Sequence, residues 1–189
     1  MIKNMMTPTP VKVTLEEYLA LPESTLPHEL VDGELRVTAA PSTWHQTVLN
    51  RVARALEDFI ESRKLGLVFR APVDVILDPG AGLALQPDII YIRQDHADIV
   101  RERIEGAPDL VVEILSRGTR DYDRTEKSAR YAAAGVAEYW LADSENGTIE
   151  IRRLDQRPPL TIAVFTVSDT LTSPLLPGFT LPVGPIFAR

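Results

Sequence analysis

The run Val111-Val112-Glu113-Ile114-Leu115-Ser116 decides how this chain is read, with Gln86-Pro87-Asp88-Ile89-Ile90-Tyr91-Ile92 before it and Asp123-Arg124-Thr125-Glu126-Lys127 after it. Each of the first two sets one acidic residue against an apolar run that reads as a buried strand. The third sets a lysine on the helix expected to follow. A carboxylate inside an apolar strand is costly unless it is paired or used. Two such carboxylates with a lysine after them therefore point to a site built on a sheet.

Working outward, Asp121 is expected to cap a helix over about 122–134 that stops at Gly135. Strands are expected over 67–71, 73–77, 84–93 and 109–115, with a turn at Asp78-Pro79-Gly80. Beyond the helix, Val136 to Ala142 reads as a strand that Asn146-Gly147 turns back into 148–154, and 160–167 adds another. Upstream, Ser42 opens the longest helix, through about Lys64, because Val48, Leu49, Val52, Leu56, Phe59 and Ile60 recur at helical spacing. Glu29-Leu30-Val31 and Glu34-Leu35-Arg36-Val37 flank Asp32-Gly33, the pair a two-residue hairpin turn favours. Thr14 and Glu17 form a capping box for a short helix to about Leu21. Residues 1–12 read as a loose leader, and the Pro-rich, apolar tail from Ser173 is expected to pack along the body. The order predicts an α/β (α+β) domain over residues 13–189, a mixed central sheet flanked by helices.

The 189 residues are 44% hydrophobic and 25% charged, an ordinary globular balance with room for a sizeable core. Net charge is −7, which argues against a protein that coats nucleic acid with a broadly basic surface. No apolar run nears the roughly 18 residues of a membrane span, and the opening MIKNMMTPTP has no secretory core segment. There is no cysteine, which removes disulfides and thiolate metal sites and fits the cytoplasm.

Every candidate residue has a plainer reading. Asp88 could be a strand-end aspartate satisfied by nearby backbone, and Glu113 one half of a structural salt bridge. Asp123, Lys127 and Tyr131 share one helical face, where a solvated ion pair is the ordinary outcome. Glu29 precedes a tight hairpin, where glutamate is usually on the surface. His45, in the first turn of the long helix, could be a polar or capping group. The sequence holds no HExxH, GxSxG or P-loop pattern. Two carboxylates on neighbouring strands with a lysine beside them can bind a divalent metal and activate water on a phosphodiester.

These residues resemble the PD-(D/E)XK nuclease superfamily, and more closely its Uma-two family. The resemblance runs over roughly 14–187, through HELVDGELRV at 28–37, PSTWHQ at 41–46, QPDIIYI at 86–92, PDLVVEILSRGTRDYDRTEK at 108–127, YAAAGVAEYWLAD at 131–143 and SPLLPGFTLPV at 173–183. It implies a restriction-endonuclease-like fold. Asp88 and Glu113 match the two strand-borne acids. The superfamily's lysine would fall at Leu115, so Lys127 on the following helix takes its place. By the same resemblance, Mg²⁺ or Mn²⁺ is held by Asp88, Glu113, the Ile114 carbonyl and Glu29. Asp123 and Tyr131 are expected to position Lys127, with His45 as a further supporting residue.

The expectation is a metal-dependent endonuclease acting on DNA in preference to RNA. The rival is a catalytically degenerate module of the same fold that binds or regulates. Lys127 is expected to face a cleft rather than the core, so that its removal leaves the fold intact. A homodimer is expected, with the Trp140 strand, the Asn146-Gly147 hairpin and the tail as exposed edges or apolar surface.

Overall fold

The computed structural model describes residues 12–22 and 26–189. The expected leader thus lies, except for Lys12, outside the described residues. The chain opens with α1 (Leu15–Leu19), where Thr14 and Glu17 form the reciprocal capping box. The hairpin β1 (His28–Val31) and β2 (Glu34–Val37) follows, turned by Asp32 and Gly33 at φ 52° and 76°. α2 (Thr43–Arg63) starts at the Ser42 cap, which accepts from the His45 amide, and ends on Lys64 in the left-handed region. Its six expected apolar residues are all buried.

Next come β3 (Gly66–Arg70), β4 (Val75–Asp78), β5 (Leu83–Leu85), β6 (Ile89–Arg93), β7 (Ile104–Glu105) and β8 (Leu110–Leu115). α3 (Arg120–Tyr122) runs through a π turn, Asp123–Lys127, into α4 (Ser128–Ala134), which stops at Gly135 with φ 102°. β9 (Glu138–Asp143), β10 (Thr148–Arg153), β11 (Leu160–Phe165), β12 (Thr170–Thr172), β13 (Thr180–Pro182) and α5 (Val183–Phe187) complete the order.

Six strands form one sheet in the order β11-β10-β9-β8-β6-β3, and five form another in the order β2-β1-β5-β4-β7. In the larger sheet β8 and β9 run parallel and the other neighbours antiparallel, so the expected mixed sheet is present. Alternation along β8 sends Val112 and Ile114 towards α2 and the tail, where Trp140, Leu176, Phe179 and Ile186 complete a core. Val111 and Leu115 turn to the opposite face, packed with Tyr131, Tyr139 and Leu85. Glu113 shares the parity of that second face.

Four expectations need correction. The single strand over 84–93 is two: β5 belongs to the smaller sheet and β6 to the larger, and the chain crosses between them at Gln86-Pro87-Asp88. Pro87 has no N–H to donate to a ladder, so pairing breaks there. Asp121 is not the cap: the helical run begins at Arg120, after Thr119, with no side-chain cap bond. The turn after β9 is four residues, not two. The Asp143 carboxylate gathers the Glu145 and Asn146 amides, and only Gly147 takes positive φ, 65°. The Trp140 strand is no edge. β9 lies between β8 and β10, and Trp140 is fully buried with its indole N–H on Glu138. Its apolar content pays for an interior place rather than an interface.

Candidate active site

The site forms where the two sheets meet. The antiparallel register that pairs Ile89 with Val112 would, one step further, set Asp88 beside Glu113. The ladder stops there, and the Asp88 side chain takes over its role: Oδ2 accepts the Ile114 amide at 2.7 Å. The other oxygen, Oδ1, stands 3.1 Å from Nε2 of His45, carried on the first turn of α2. Asp88 and His45 keep 17% and 13% of their side-chain surface, so water reaches the site from their side.

Glu113 is buried, and both of its hydrogen bonds fall on Oε1: the Lys127 ammonium at 2.9 Å and the Tyr131 hydroxyl at 2.9 Å. Lys127 also reaches Glu29 Oε1 at 2.9 Å and Asp123 Oδ1 at 3.7 Å. The smaller sheet therefore supplies Glu29 to a site whose other acids come from the larger sheet and its helix. Glu29 is fully engaged: the Gln86 amide donates to Oε1 at 3.1 Å and the Tyr122 hydroxyl to Oε2 at 3.3 Å.

The expected cleft-facing lysine is overturned, since Lys127 keeps only 6% exposure among these carboxylates. Three carboxylates around one buried ammonium is the physical reason: charge this desolvated must be paired. Tyr131, expected to position Lys127, instead donates to Glu113. Burial opposes charge on Lys127, but Glu113, Glu29 and Asp123 together outweigh it and hold the amine well above the ordinary lysine value. Burial pushes the Glu113 carboxyl well up, with Lys127 pulling the other way and Asp123 and Asp88 adding to the rise. Asp123 is raised too, again by burial first, with Lys127 and a Thr119 hydrogen bond opposing. Burial first, and the neighbouring carboxylates second, thus favour the neutral form of Glu113 and Asp123.

Sequence reading missed Tyr122. Its ring centroid lies 5.6 Å from the Lys127 ammonium and 4.9 Å from the Arg36 guanidinium. At a regular helical period, residues five apart face different ways. The π turn, whose bonds run i to i+5, carries Tyr122 and Lys127 to the same side. Only an irregular helix could have revealed this, and spacing alone does not announce one. Gln86 is a second residue that sequence reading missed: its main-chain amide holds Glu29.

The donors suit a hard divalent ion, being carboxylate oxygens beside a main-chain carbonyl. Glu113 Oε2 takes no hydrogen bond from the described residues and is the oxygen left over. Among the described residues, no three Asp, Glu or His side chains already stand together at metal-binding spacing. A set of Asp88, Glu113 and the Ile114 carbonyl needs only two side chains. Glu29 would join only by loosening its hold on Lys127.

A family model described as "Putative restriction endonuclease", Uma2, matches residues 15–184. The chain is also similar to a crystal structure of a "putative nuclease belonging to DUF820" from Anabaena variabilis ATCC 29413. Identity is 20%, over 93% of this chain and 97% of that one, with a TM-score of 0.78. At that identity the likeness speaks for the fold. No curated protein matches the sequence.

Proposed function

This chain belongs to the Uma2 family of restriction-endonuclease-like nucleases, and from that membership we propose that it is a divalent-metal-dependent endonuclease hydrolysing phosphodiester bonds of DNA. The observation that supports the reading is a charge-rich cluster in which Lys127 bonds Glu113 and Glu29, with the Asp88 carboxylate on the amide of Ile114, the residue after Glu113. Asp88, Glu113 and the Ile114 carbonyl would hold Mg²⁺ or Mn²⁺, with Glu29 as an additional donor. The ion would lower the pKa of bound water and offset charge on the phosphate.

The chain's own residues do the rest. His45 orients Asp88, and the Ile114 amide fixes the other oxygen of that carboxylate. Tyr131 draws Oε1 of Glu113 away and leaves Oε2 for a ligand. Lys127, kept charged by its carboxylates, serves as a fixed positive charge for a phosphate oxygen or a hydrogen-bond donor that orients water, not as a base. Asp123 anchors it from one helical turn away.

Nicking of supercoiled plasmid with Mn²⁺ tests this. Wild type should nick, chelation should stop it, and Asp88→Asn should be slower by roughly 10²-fold or more. Equal slow rates in wild type and variant would identify a contaminant. They would support the second reading, a binding or regulatory module, which the full engagement of Glu29 by Lys127, Gln86 and Tyr122 favours.

We also propose a homodimer, formed along β11. This edge strand exposes Leu160, Ile162 and Val164, and Val167 follows it, with no charged residue from 160 to 167. Edges left without charges tend to pair, and antiparallel pairing with a second copy is self-complementary. Light scattering at micromolar concentration should give a dimer mass, and Ile162→Lys should lower it to the monomer's. A monomeric wild type would count against the interface.

A further inference from the structure

A cavity of about 420 Å³ opens beside the carboxylate cluster, with Glu29 in its wall together with Arg36, Thr119, Tyr122 and Glu126. Its size is in the range of sites that take one small-molecule unit. Arg36 stands directly across the hairpin from Glu29, so the two-residue turn that sets the β1–β2 register also aims Arg36 into this cavity. Its guanidinium lies over the Tyr122 ring and bonds Glu126 at 3.2 Å. That ion pair is open to water, at 36% and 51% side-chain exposure, and such pairs contribute little to stability. Arg36 and Lys127 both stand against the Tyr122 ring, and of the two Arg36 is the one that lines the cavity.

We propose that Arg36 is a substrate-binding residue that grips a phosphate of the DNA strand next to the one cleaved, with Glu126 as its resident counter-charge and the cavity as the seat of the adjoining nucleotide. The assignment rests on the nuclease reading above. Guanidinium matches two phosphate oxygens at once, and Tyr122 keeps its plane fixed, so little ordering is lost on binding. In the free protein the Glu126 carboxylate occupies the guanidinium edge that the phosphate needs. Binding exchanges one anion for another, and Glu126 thereby weakens affinity and disfavours strands that do not reach Arg36.

The two halves of the ion pair therefore have opposite effects, which a merely structural bridge would not show. Anisotropy of a fluorescent DNA oligonucleotide, measured with chelator on the full chain, should show Arg36→Ala weakening binding about 10-fold and lowering the salt slope by about one. Glu126→Gln should tighten binding several-fold. Arg36→Lys should fall between wild type and alanine, and thermal melts should be nearly unchanged, since the pair is exposed. In the nicking assay the Arg36→Ala loss should appear in KM with kcat largely kept. Wild-type affinity and slope in Arg36→Ala overturn the proposal. So does weaker binding by Glu126→Gln, which marks the pair as structural. If wild type neither binds nor cuts DNA, the nuclease reading fails and takes this one with it. If wild type cuts and the variants match it, only the role of Arg36 falls.

Discussion

Lys127→Ala should slow cleavage by roughly 10²-fold or more and lower the stability of the metal-free protein by about 3 kcal/mol. The first effect follows from losing a fixed positive charge beside the reacting phosphate. The second follows from burial: Glu29, Glu113 and Asp123 would face one another without their shared partner. Part of that cost is relieved if Glu113 keeps a proton, so the loss should grow as pH rises. Lys127→Arg should restore stability better than activity, because guanidinium keeps the charge but not the shape. Chemical denaturation and single-turnover cleavage on the same preparations check both halves. Unchanged stability in Lys127→Ala would contradict the buried cluster, and unchanged cleavage would remove Lys127 from the chemistry.

The second large effect is expected from Glu113→Gln, which keeps the shape and removes the charge. Cleavage and the melting shift produced by Mn²⁺ should both be lost. Metal-free stability should rise, because Lys127 still has Glu29 and Asp123 to face. The pH dependence gives the sign. Glu113 in the folded protein holds its proton above the ordinary glutamate value of 4.5, so its contribution is fully present below that value and is lost as pH rises through the raised one. Lys127 is raised in the same sense, so its contribution is lost only above the ordinary lysine value of 10.5. Between the acid range and neutral pH the metal-free wild type should therefore lose stability relative to Glu113→Gln. Mn²⁺ should recover more of it as pH rises, because metal and proton compete for one carboxylate. Melting curves from pH 5 to 8, with and without Mn²⁺, measure this. A metal-induced shift that persists in the variant would mean that the ion binds elsewhere.

The local rules read from the sequence hold where neighbours in the chain settle the matter. Asp32-Gly33 takes the positive φ its hairpin needs, Thr14 and Glu17 close their box, and the apolar stripe from Val48 to Ile60 is buried as its spacing requires. The anomaly of a glutamate in an apolar strand was also visible in advance, since burying Glu113 without a partner is costly whatever the fold. Reading 84–93 as one strand failed because its apolar residues serve two sheets, and periodicity does not say which sheet a residue faces.

The sequence by itself determined the Asp32-Gly33 turn, the Thr14 and Ser42 caps, the long helix and the residue types available for a site. Only the tertiary structure decided how they meet. Strand register carries Asp88 to the amide of Ile114, the residue after Glu113, and the packing of the smaller sheet brings Glu29 onto Lys127. The π turn gathers Tyr122, Asp123 and Lys127 on one side. The difference is physical: dihedral preferences, caps and amphipathic spacing act within a few residues, whereas a buried charge is balanced by whichever group the folded backbone carries to it, from any distance along the chain.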